Sequence, residues 1–164
     1  MDAYRFCPRC AAPLTEQPRD GRTRSLCTAD GCGFIHYNNP LPVVAAVVEL
    51  DGQVILARQH GWPEKFYGLI TGFLEAGESP QEGILRELDE ELGLSGRVES
   101  LIGVYPFTMR NEVIMAFHVV AQGTIRLGEE LAGIKSVAPE KLRPWPMGTG
   151  QAVADWLARR PVRG

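Results

Sequence analysis

The segment Ser79–Leu92 carries the strongest structural signal in this sequence, and it contains a conflict. Ser79 suits an N-cap, Pro80 the first helical position, and Glu82 completes a capping box with Ser79. Gly93 suits the left-handed residue that ends a helix. At 100° per residue, Ile84, Leu85, Leu88 and Leu92 share one core-facing side. Glu87, Glu90 and Glu91 fall together within an arc of about 100° on another side. Like charges three and four residues apart repel, and the dipole disfavours anions in the last turns. Such a face is either simply solvated or a site for a hard cation, whose open positions then take water and phosphate. The helix alone does not decide between them.

A second constraint lies at the other end of the chain. All four cysteines precede residue 33, as Cys7-x2-Cys10 and Cys27-x4-Cys32, and the remaining 132 residues contain none. Two such knuckles can place four thiolates at the corners of a tetrahedron about 2.3 Å from Zn²⁺. The intervening Ala11–Leu26 is polar, with two prolines, and is too poor in apolar residues to build a core. A disulfide framework would need an oxidising compartment, and the first residues lack the apolar run of a signal peptide. A redox Cys-x-x-Cys is expected beside a βαβ pattern, which does not follow here. Structural Zn²⁺ on Cys7, Cys10, Cys27 and Cys32 is therefore expected, with the coordination sphere full and His36 outside it.

From Pro42 onward the pattern becomes that of a core. Val43–Val48 reads as a buried strand, Asp51-Gly52 as a hairpin turn, and Gln53–Arg58 as the returning strand. Phe66–Phe73, Arg97–Tyr105, Val113–Gln122 and Ile134–Val137 read as further strands, and Gly150–Arg159 as a final helix with Val153, Trp156 and Leu157 on one face. Strands outnumber helices, which predicts an α+β fold with helices packed on a mixed sheet.

The residues around the acidic helix resolve its ambiguity. Gly72 through Leu94 fits the pattern G-x5-E-x7-R-E-U-x-E-E-x-G-U, U being aliphatic, at every specified position. Chance matches in a chain of this length are rarer than about one in 100,000. The sequence resembles the Nudix hydrolase family, and the preceding four-cysteine ribbon narrows the likeness to the branch of NADH, FAD and ADP-ribose pyrophosphatases. The resemblance implies an α/β/α sandwich with a mixed β-sheet behind a small zinc ribbon, with domains at 1–38 and 39–164.

It also implies roles. Glu87, Glu90 and Glu91 correspond to ligands of Mg²⁺ or Mn²⁺, joined by the carbonyl of Thr71. Glu91 is assigned the base, while Arg86 and Glu78 correspond to a pair bracing loop against helix. A further ligand is expected from a downstream loop, where Glu130 is the first choice and Glu112 the alternative. Tyr67 and Phe107 are chosen as aromatics to stack on a nucleotide base. The stretch Val104–Arg110 lacks the S-Q-P-W-P-F-P of NADH-specific members. The implied activity is metal-dependent hydrolysis of a nucleoside diphosphate linked to another moiety, such as FAD, ADP-ribose or an NADH-like dinucleotide. The alternative is a Nudix nucleotide sensor, which an intact set of box carboxylates disfavours.

Composition limits the partners. The net charge is −3, and residues 1–40 hold five Arg against four acidic residues, with no basic stripe. Neither nucleic acid nor a membrane is expected as a partner. The longest apolar runs, Leu41–Val48 and Val113–Ala121, fall far short of the roughly 20 residues of a span. The expected setting is cytoplasmic, with a small nucleotide diphosphate as ligand; members of this branch are often homodimers.

Overall fold

A computed structural model describes residues 4–160. Residues 1–3, part of the segment in which no leader is expected, and the last four of the expected second domain lie outside the described residues. The chain divides into two compact units between Pro40 and Leu41.

The first unit is a three-stranded antiparallel sheet of β1 (Leu14–Arg19), β2 (Arg22–Cys27) and β3 (Ile35–His36), in that order. Its hairpin turns at Asp20-Gly21, both at positive φ (51° and 74°), the pairing that suits a right-handed strand twist. The polar segment between the cysteine pairs is thus a two-stranded ladder. Pro18 is accommodated because β1 is an edge strand.

The second unit is the expected sandwich. Its sheet runs β7 (Ser95–Phe107), β8 (Glu112–Gln122), β4 (Leu41–Leu50), β5 (Gln53–Gln59) and β9 (Leu131–Val137), and β6 (Ile70–Phe73) also pairs with β4. The β4–β8 pair is parallel and the others antiparallel, so the sheet is mixed. Strand alternation divides the core. Val43, Ala45 and Val47 face a cluster with Val153 and Trp156 of α2 (Gly150–Arg159). Val44, Ala46 and Val48 face Ile84, Leu88 and Leu92 of α1 (Pro80–Leu92). Each helix therefore buries its stripe on its own face of the sheet. Tyr105 ties the α2 side together by donating its hydroxyl to Asp155 Oδ2 at 2.7 Å.

Helix α1 begins and ends where its caps dictate. Ser79 Oγ accepts from Glu82 N–H, and Ser79 N–H donates to Glu82 Oε2 at 2.7 Å. Gly93 adopts φ +63° and donates to Asp89 O. The Asp51-Gly52 hairpin also forms as expected, with both residues at positive φ. The strand expected over Phe66–Phe73 is shorter. Only Ile70–Phe73 pairs with β4, while Gly68 makes an isolated bridge to Ala57 beneath the Trp62 ring. Among the described residues, no helix is long and apolar enough to cross a membrane.

Candidate active site

The box glutamates stand where α1 crosses β6. The Glu87 carboxylate lies directly over the backbone of Gly72, so closely that a Cβ at Gly72 would overlap it. Thr71, the preceding residue, pairs with Ala45 of central β4. Glu91 is one turn further on and only 5% exposed. Burial, followed by the negative charges of Glu87, Glu130 and Glu90, raises its pKa to about 8. Burial likewise raises Glu87, against the opposing pull of Arg86.

Arg86 links this group to the loop before α1. Its Nη2 and Nε donate to the two oxygens of Glu78 at 2.8 and 3.1 Å, a bidentate pair. Its Nη1 reaches Glu87 at 2.8 Å and Glu90 at 3.0 Å, and Nη2 also donates to the carbonyl of Phe73. Glu78 accepts a further bond from Glu75 N–H, and Arg86 with that donor holds its carboxyl down at about 2. Gly83 gives Glu78 room, because a side chain there would press on its carboxylate.

The end of α1 positions the fourth carboxylate. Helix C-termini leave unpaired carbonyls; here Arg126 N–H donates to Leu92 O and Gly128 N–H to Glu91 O, each at 2.8 Å. Gly128 lies so close to the carbonyl of Glu90 that a Cβ would not fit. This clamp brings Glu130 near enough for its charge to act on both Glu87 and Glu91. Glu112, its rival in the sequence, is instead buried at the start of β8 and lines a neighbouring cavity.

That cavity, of about 480 Å³, is bounded by Thr71, Val43, Glu112, Phe107 and the rings of Trp62, Phe66 and Trp145. Trp62 and Phe66 meet edge to face at 5.0 Å. Phe107 lines this cavity together with Thr71, whereas Tyr67 does not. Its neighbour Phe66 lines this cavity instead, and Tyr67 lines a separate cleft. Trp62 and Trp145 lie outside periodic segments, where tryptophans in loops beside prolines were the available signal, and Phe66 reads in sequence as part of a strand.

The four cysteines converge in the ribbon unit. Their Sγ atoms all lie within 4.8 Å of one another, with Cys10–Cys27 at 3.4 Å and Cys7–Cys32 at 3.6 Å. A Zn–S length of 2.3 Å requires tetrahedral edges of about 3.8 Å, so the set fits zinc. At Cys7, burial acts to raise the thiol, but the N–H donors of Arg9 and Cys10, with the thiols of Cys32 and Cys10, together outweigh it and bring the pKa to about 7. His36 packs edge to face on Tyr4 and is not in the cluster.

A domain of this layered form, with a four-carboxylate corner, belongs to a known class. Residues 39–156 match the NUDIX domain and residues 5–38 the Nudix N-terminal zinc ribbon. The chain belongs to the Nudix family. It is 38% identical over 81 residues to the NAD-capped RNA hydrolase NudC of Mycobacterium bovis, covering 48% of this chain and 26% of that protein. It is 32% identical over 141 residues to the human mitochondrial NAD(P)H pyrophosphatase NUDT13, covering 84% of this chain and 38% of that one. The chain thus spans less than half the length of either relative. A Nudix hydrolase from Nitrosomonas europaea shares the fold with a TM-score of 0.74 and 24% identity, over 85% of this chain and 80% of that one. A UDP-X diphosphatase is 26% identical with a TM-score of 0.60, over 76% and 66%. The expectation that nucleic acid is no partner finds no support in a relative named as a hydrolase of capped RNA.

Proposed function

We propose that the chain hydrolyses the diphosphate bond of a nucleoside diphosphate linked to another moiety, with residues 1–38 as a structural ribbon and 39–164 as the hydrolytic domain. The observation that carries this reading is the carboxyl of Glu91, pushed up to about 8 by burial and then by the charges of Glu87, Glu130 and Glu90, on the helix whose Glu87 rests on Gly72, next in sequence to Thr71 of an aromatic cavity. Carboxylates that oppose one another's ionisation, with Arg86 the one cation paired to Glu87 and Glu90 among the described residues, fit a divalent cation, and Glu87, Glu90, Glu91, Glu130 and the Thr71 carbonyl would hold Mg²⁺ or Mn²⁺. When bound, such a cation offsets the charge that develops on the phosphate oxygens.

The protein's own groups do the rest. Phe107, with Trp62, Phe66 and Trp145, offers flat faces to a base. Glu91 takes a proton from the attacking water, whose oxygen bonds to one phosphorus as the bridging P–O bond breaks. The products are a nucleoside monophosphate and a second phosphorylated fragment. Arg86, pinned by Glu78, keeps Glu87 and Glu90 turned to one side of the helix.

The names of the two relatives favour a substrate of the NAD type over FAD or ADP-ribose. The test is a hydrolysis panel of NAD, NADH, NAD-capped RNA, FAD and ADP-ribose with Mg²⁺ and Mn²⁺, using Glu91→Gln as control. Turnover of one diphosphate, lost in the control, supports the reading. Tight binding without turnover of any would favour a sensor.

A further inference from the structure

The chain has three lysines, and all three line one cleft. Lys65, Lys135 and Lys141 surround a space of about 270 Å³, together with Arg143, Tyr67 and Trp145. They come from the loop before β6, from β9 and from the 3-10 turn that follows it. No acidic residue lines the cleft. Among the described residues, no carboxylate pairs with any of these four cations. Arg143 engages only backbone carbonyls, those of Glu140 and Leu142.

Four unpaired cations around one small space repel one another, and general basicity does not explain them in a chain of net charge −3. An anion relieves that repulsion. The flanking rings of Tyr67 and Trp145 add surfaces on which a base or sugar can lie. The volume equals about nine waters, room for a phosphate and little more than a ring. Trp145 also lines the cavity that contains Thr71 and Phe107, so one ring borders both spaces.

We propose that this cleft binds a further phosphate ester, beyond the 5′-phosphate, carried by the nucleotide whose base occupies the Trp145 cavity. The inference rests on the reading of that cavity as a nucleotide pocket. The phosphate has two chemical sources: a monoester on a small nucleotide, or the first phosphodiesters of an RNA chain. Both present the same anionic oxygens to ammonium and guanidinium donors.

The test is equilibrium binding without divalent cation, comparing AMP, adenosine 3′,5′-bisphosphate and a five-nucleotide single-stranded RNA. The double variant Lys135→Gln/Lys141→Gln removes two exposed side chains, and its melting temperature should match that of the parent. Loss of about tenfold or more in affinity for the bisphosphate or the RNA is expected, with AMP nearly unaffected. For RNA, the slope of log affinity against log salt should fall by about one to two. Loss for RNA alone identifies the polynucleotide, and loss for the bisphosphate identifies the monoester. Arg97→Gln serves as a charge control on an exposed residue outside the cleft. Unchanged binding in the double variant, or equal weakening by Arg97→Gln, overturns the inference. If the hydrolysis panel fails while the lysine variant still loses the bisphosphate, the proposed activity falls and the anion cleft stands. Intact hydrolysis with lysine-independent binding gives the reverse.

Discussion

The carboxylate of Glu87 rests on the backbone of Gly72, and the contact exists only because Gly72 has no side chain. Helix α1 is held at this distance from β6 by its own caps and by the burial of Ile84 and Leu88. The carboxylate is thereby fixed close to Thr71. Gly72→Ala should push Glu87 aside by about an ångström while both core clusters stay intact. A displacement of that size costs about 10²-fold in turnover. Steady-state kinetics against Mg²⁺ concentration, beside a circular dichroism spectrum of unchanged shape, checks this.

The Glu78–Arg86 pair makes a prediction about acid. Arg86, then the Glu75 N–H, holds the Glu78 carboxyl at about 2, below its ordinary 4.5. A depressed folded-state pKa contributes stability that is present above 4.5 and is lost as pH falls through about 2. Glu78→Gln removes that contribution. The variant should melt below the parent at pH 6, and the gap should close steadily towards pH 2. A melting series over that range decides it, and a gap independent of pH would refute the electrostatic account.

Helix α1 and the Asp51-Gly52 hairpin were legible because caps and turns are local chemistry, written in adjacent residues. Asp20-Gly21 carries the same turn signal, but β1 is almost wholly exposed and neither strand around the turn shows apolar alternation to reveal it. The strand over Phe66–Phe73 was overextended because an aromatic run reads as strand, whatever its residues face. Glu130 and Glu112 look alike in sequence. What separates them is the clamp of Gly128 on the end of α1, a contact between segments some 37 residues apart. Tyr67 illustrates the same limit: a ring beside the box in sequence turns to a different cleft from that of Phe66.

Zinc removal should act on the ribbon unit alone. The cysteine cluster is the unit's main long-range tie, since its strands bury few apolar side chains. Metal binding there is folding free energy. A strong chelator, or Cys10→Ser, should abolish the ribbon's amide protection in hydrogen exchange while the strands of the second unit keep theirs. Ala11 sits at φ +60°, a conformation that costs a non-glycine residue about 1 kcal/mol. Ala11→Gly should therefore tighten zinc retention in a chelator competition, and weaker retention would count against strain at this knuckle.

Glu91 should reveal the stability cost of the site. In the metal-free protein its pKa lies near 8, above the ordinary 4.5, because burial and then the charges of Glu87, Glu130 and Glu90 oppose ionisation. A raised folded-state pKa contributes stability that is whole below 4.5 and is lost as pH rises through about 8. Glu91→Gln keeps the shape and removes the charge. The variant should melt close to the parent at pH 4.5 in EDTA and increasingly above it towards pH 9, while its turnover with Mg²⁺ falls by about 10³-fold or more. Saturating Mg²⁺ should raise the melting temperature of the parent and far less that of the variant, since binding to the folded state stabilises it. Melting curves in EDTA and in Mg²⁺, across that pH range, test both halves together. A variant less stable than the parent at pH 9 in EDTA would show that Glu91 is a structural acid, held by contacts that outweigh the repulsion of its neighbours.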